Sequence, residues 1–173
     1  MKQLSSLFII FFLVATSAHA QLATPNENGL TFGHVHLNVS DIEEHKRIWV
    51  EHFNGTIVER GPLTVAKLPN MMVALTESEP TMGSRETTMH HFGFKVRSMD
   101  KFLDKWRADG LEVGSIFFGS EGQLNAYVIT PDNIAVEMQE DQGLHEEITG
   151  YHVHWFLDNP EGILQWYVEM FDL

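Results

Sequence analysis

The apolar positions of this chain switch between two periods, and the switch repeats. In "TFGHVHLNV", Val35, Leu37 and Val39 alternate with Phe32, His34, His36 and Asn38, the period of a strand with one buried face. "SDIEEHKRIWVEHFNG" then sets Ile42, His45, Ile48, Trp49 and Phe53 at helical spacing. Ser40 and Glu43 predict a capping box at its start, and Gly55 a stop. Three short strands are predicted next, "TIVERGPL", "TVAKL" and "MMVALTE", broken at Gly61-Pro62 and Pro69-Asn70. The order then restarts. "TMHHFGFKV" reads as a strand and "SMDKFLDKWRADG" as a helix with Met99, Phe102, Leu103 and Trp106 inward. "LEVGSIFFG", "LNAYVIT" and "IAVEMQE" read as strands, the last two joined by a turn at Pro131 to Asn133.

A third start, "YHVHWFLDNPEGILQWYVEMFDL", supplies one strand and one helix. Setting His34 on His91 aligns Val39 with Val96 and Trp49 with Trp106; setting His34 on His152 aligns His36 with His154 and Phe53 with Phe171. Half a module leaves a sheet edge and an apolar helix face open. The expectation is that the natural gene continues past this fragment, or that a partner subunit completes it.

Composition narrows the classes. Residues 1–20 combine Lys2, the apolar run "LFIIFFLV" and an "AHA" ending, the pattern of a secretory signal peptide cleaved after Ala20. The run is too short to span a bilayer, which needs about 20 apolar residues. The expected mature protein is therefore secreted or periplasmic, with no membrane attachment after cleavage. Residues 21–30 read as a flexible lead-in. The chain has no cysteine, which excludes disulfides, thiolate nucleophiles and cysteine-based zinc sites. Its formal net charge of −13 repels phosphate backbones and argues against nucleic acid as a partner.

Twice-repeated βαβββ units opening on H-V-x-L-x-V resemble the vicinal oxygen chelate superfamily, which includes glyoxalase I, extradiol dioxygenases, fosfomycin-resistance enzymes and bleomycin-binding proteins. The resemblance covers residues 31–142, as module one (31–80) and module two (86–142), with a truncated third module at 150–173. It implies an α+β fold in which paired modules form a cupped mixed sheet around one divalent metal ion. First strands and a last strand supply the ligands. Carried onto this chain, they are His34 in "GHVHL", His91 in "HHFGF" and Glu137 in "IAVEMQ". The module-one counterpart of Glu137 is Ala74, so one acidic ligand of the glyoxalase arrangement is missing. Two imidazoles and one carboxylate suit Fe(II), Mn, Zn or Ni and leave positions open for a chelating substrate.

Around that triad, Tyr127 is a candidate catalytic group that binds or protonates substrate, and His36, on the face of His34, a candidate substrate-binding or supporting residue. His90 is expected to face away from His91. His45 and His52 are read as packing or surface positions. His152 and His154 are read as part of a second site whose acidic partner lies past residue 173.

The resemblance therefore implies an exported metal-dependent enzyme of dioxygenase, lyase or isomerase type, acting on a small oxygen-rich molecule. The site forms within one chain or across a homodimer. The extra pocket histidines of ordinary extradiol dioxygenases are not located, and export separates the protein from the cytosolic thiols used by fosfomycin-resistance and glutathione-linked enzymes. One alternative is a metal-free cup that sequesters a small ligand. Another is a structural partner domain whose active half lies further along the gene.

Overall fold

The structure, a computed structural model, describes residues 24–173. The predicted signal peptide lies outside the described residues. The first module comprises β1 (His34–Val39), α1 (Ile42–Glu51), β2 (Thr56–Arg60), β3 (Leu63–Leu68) and β4 (Met71–Glu77). The second comprises β5 (Met89–Val96), α2 (Met99–Ala108), β6 (Glu112–Phe118), β7 (Leu124–Thr130) and β8 (Ile134–Glu140). β9 (Ile148–Trp155) and α3 (Pro160–Phe171) follow. The fold is α+β, with two mixed sheets ordered β1-β4-β3-β2 and β6-β7-β8-β5-β9.

In each module the first strand lies parallel to the last, β1 on β4 and β5 on β8. The other edge of β5 takes β9, running antiparallel. β1 has no second strand neighbour among the described residues.

Strand alternation separates core from cup. Phe92 and Phe94 of β5 point into an aromatic core with Trp49 from α1, Phe53 just past its end, and Phe102 and Trp106 from α2. Trp49, Phe53, Phe92, Phe94 and Trp106 are fully buried, so these rings hold the two modules together. His91 and Gly93, between and before those phenylalanines, face the other way.

Two local expectations are corrected. The N-cap of α1 is Asp41, whose carboxylate accepts from the Glu44 amide at 3.0 Å. Ser40 is drawn away from capping: its hydroxyl donates to Asp132 at 2.6 Å, and Asp132 is held in a positive-φ turn. The chain leaves α1 through Asn54, which takes the left-handed conformation expected of Gly55. Gly55 is required there for space, since a Cβ would come within 2.6 Å of the Trp49 carbonyl oxygen.

His45 and His52 are buried and carboxylate-paired, His45 with Asp132 at 3.2 Å and His52 with Asp109 at 2.8 Å. Burial lowers the pKa of both and outweighs the neighbouring carboxylates. α3 buries none of its side chains. Among the described residues, no helix is long and apolar enough to cross a membrane.

Candidate metal centre

Adjacent strands place registered residues on one face. Across β7, β8, β5 and β9 one row reads Tyr127, Glu137, Gly93, His152. In the next row His91 stands opposite His154. The polar members of both rows converge on the Glu137 carboxylate. His91 Nε2 lies 2.7 Å from Glu137 Oε2, and His152 Nε2 lies 3.6 Å from the same oxygen. Asn125 Nδ2 donates to Glu137 Oε1 at 2.7 Å, and the Tyr127 hydroxyl donates to Oε2 at 3.3 Å. His91 is 1% exposed and Glu137 8%.

Gly93 makes this row work. A Cβ there would come within 2.6 Å of His152 Cε1, so only glycine lets the His152 ring lie across β5 toward β8.

The electrostatics follow from the packing. Burial would raise the Glu137 carboxyl, but the His152 and His91 imidazoles outweigh it and hold the group far below the usual carboxylate range. Burial and the Glu137 charge push the Tyr127 phenol up to about 12, so it keeps its proton at neutral pH. His154 is lowered, first by burial and then by the charges of His91 and His152.

The donor set fits a divalent cation. His91 Nε2 is buried without a hydrogen bond despite its 2.7 Å approach to Glu137, because the approach is not aligned for one. Ligand atoms about 2.1 Å from a metal stand about 3 Å from one another, near the two separations seen here. The other ring nitrogen of His91, Nδ1, lies 2.8 Å from His90 Nδ1, a contact that leaves the Nε2 lone pair free when His91 Nδ1 carries the proton. The group here whose ligand atoms all lie within 4.8 Å of one another is His91, His152 and His154; Glu137 approaches two of those rings and stands outside the group.

The sequence-predicted residues divide. His91, Glu137 and Tyr127 come together. His34 joins neither this cluster nor the other group close enough to share an ion, Glu51, His52 and Asp109. It is exposed on β1, in the other sheet, against His36. His36 stays with it, its Nε2 2.7 Å from Thr76 Oγ1. His152 stands where His34 was expected, because β9 and not β1 pairs with β5. The acidic partner of His152 is therefore Glu137, within the chain. His90 is also corrected: a register shift between Met89 and His91 breaks the alternation and brings the two neighbouring rings together. Asn125 was missed; its signal was its place two residues before Tyr127, on the same strand face.

Among solved structures, the fold is similar to fosfomycin resistance protein FosX from Listeria monocytogenes, at 20% identity over 69% of this chain and 94% of that one, with a TM-score of 0.55. A second FosX structure from that organism, complexed with Mn(II) and sulfate, matches at 19% identity over 69% and 93%, TM-score 0.53. The glyoxalase family protein from Enterococcus faecalis matches at 18% identity over 62% and 94%, TM-score 0.53. No curated protein matches the chain. The family model described as Glyoxalase/Bleomycin resistance protein/Dioxygenase superfamily matches residues 31–138, well over half of the sequence, and the chain belongs to that superfamily.

Proposed function

We propose that this protein is a divalent-metal-dependent enzyme acting on a small oxygen-rich substrate, with metal ligands drawn from His91, His152, His154 and Glu137. The observation that carries the reading is the buried His91 Nε2, unbonded yet 2.7 Å from an ionised carboxylate. A bound divalent ion would polarise substrate oxygens and leave coordination positions open for two of them. Glu137 is kept anionic by its surroundings, and Asn125 fixes its second oxygen. Tyr127, which holds its proton, is placed to give it to a substrate oxygen on which charge develops. That role favours lyase or isomerase chemistry over oxygen insertion.

The test is elemental analysis of the purified protein beside Glu137→Ala and His91→Ala. Stoichiometric metal, lost in both variants, is expected. Absence of metal, or metal indifferent to both substitutions, would overturn the assignment and leave the metal-free binding cup. We also propose export, from the signal-peptide pattern of residues 1–20. N-terminal sequencing of the exported protein should begin at Gln21; an intact N-terminus retained in the cytosol refutes it.

A further inference from the structure

Arg85 has no carboxylate partner among the described residues, in a chain with 24 Asp and Glu against 11 Lys and Arg. Its guanidinium lies over the ring of Tyr127, 4.5 Å from the centroid. Tyr127 in turn stacks on Phe117 and donates to Glu137. A guanidinium over one aromatic ring has five N–H donors, more than that contact uses, and they match the oxygens of a carboxylate or phosphonate.

The backbone that carries Arg85 is pinned to the strands that carry the ligands. Buried Ser84 donates its hydroxyl to the His90 carbonyl of β5 at 3.0 Å and accepts from the Ala135 amide of β8 at 2.9 Å. His90 directly precedes His91, and Ala135 lies two residues before Glu137. Gly83 is in close contact with Asn133, where a Cβ would approach to 2.5 Å. Thr87 closes the same turn, its hydroxyl within hydrogen-bonding distance of the Ser84 and Met89 carbonyls at 2.8 and 2.9 Å. The backbone of Arg85 is thus fixed before any ligand arrives, and its exposed side chain is open to one.

We propose that Arg85 is the anion-holding residue of this site, and that the substrate carries an acidic group besides its chelating oxygens. The assignment rests on the metal centre proposed above. Arg85 takes the carboxylate or phosphonate end, and the vicinal oxygens face His91, Glu137 and His152. An uncharged substrate of the same shape leaves the guanidinium without a partner.

The experiment is calorimetric titration of Mn(II)-loaded protein with three probes: catechol, 3,4-dihydroxybenzoate and 3,4-dihydroxyphenylphosphonate. All share the chelating oxygens and differ in the added anion. The charged probes should bind about tenfold to a hundredfold more tightly than catechol, the range of one charge-assisted hydrogen-bonded pair. Arg85→Gln should abolish that preference while catechol affinity and metal content hold, and Arg85→Lys should retain part of it. The tighter of the two charged probes identifies the acidic group. Equal binding of all three probes, or a preference surviving in Arg85→Gln, overturns the role of Arg85 alone. Failure to take up Mn(II) defeats the metal centre, and this assignment with it.

Discussion

In the second sheet, a row across β7, β8, β5 and β9 reads Tyr127, Glu137, Gly93, His152; in the first, the matching row across β3, β4 and β1 reads Val65, Ala74, His36 and then stops at an open edge. The two modules share one strand order, and the second sheet adds β9. The first row offers one imidazole, bonded to Thr76, and no acid. The second offers a buried carboxylate with an amide, a phenol and two imidazoles around it. A buried carboxylate is tolerated only with such partners, whereas Ala74 needs none. The repeat builds the cup, and the content of one row decides whether the cup can hold an ion.

The sharpest way to break this comparison is to remove the equivalent histidine from each side. His152→Ala should lower metal affinity on the order of 100-fold or more, since even outer groups that orient ligands cost 10–100-fold. His34→Ala, at the matching repeat position on β1, should leave metal content unchanged. Metal titration of both variants decides it, and the opposite ranking would return the site to β1. Glu137→Ala strips the acceptor from Asn125 and Tyr127, so it should also cost about 1–3 kcal/mol of metal-free stability, measured by urea denaturation.

A smaller effect is expected at Gly93. Gly93→Ala puts a methyl where His152 Cε1 lies, and the imidazole must swing away from Glu137. Metal affinity should fall about tenfold while the far-UV circular dichroism stays native. Unchanged affinity would show that His152 does not need its place across β5.

His45 and His52 of the first module are held below their ordinary pKa, chiefly by burial. The unfolded chain then binds more protons than the native one once pH falls below the free-histidine value of about 6.5. Their contribution is complete above that value and is lost as pH drops through it toward the folded values. The urea midpoint should therefore fall between pH 7.5 and pH 5. His45→Gln should flatten the slope, and an equally steep slope in that variant would assign the loss elsewhere.

Much of this was legible from residue order. Alternation locates the strands, helical spacing locates Trp49 and Trp106, and the contrast between Ala74 and Glu137 stands in the residue order itself. What residue order could not supply was which strand borders β5. Periodicity says which face a residue takes and nothing about its neighbour across the edge. β1 opens on His-Val-His and β9 carries the same three residues near its end, so either could fill that edge, and pairing chose β9. His90 escaped for a related reason: one register shift overrides the alternation that placed it.

The smallest expected change closes the comparison from the side without a site. His36 has the position in β1 that Gly93 has in β5; its ring bonds Thr76 at an exposed site and has His34 beside it. Nothing buried depends on it, since Ala74 beside it carries no polar group to satisfy. His36→Ala should therefore shift stability by no more than about 0.5 kcal/mol and leave metal content untouched. The same shape of substitution, imidazole to methyl, thus has opposite consequences at His36 and His152. A loss of bound metal in His36→Ala, read by elemental analysis, would mean that β1 takes part in a site after all, and that the two sheets differ less than their rows suggest.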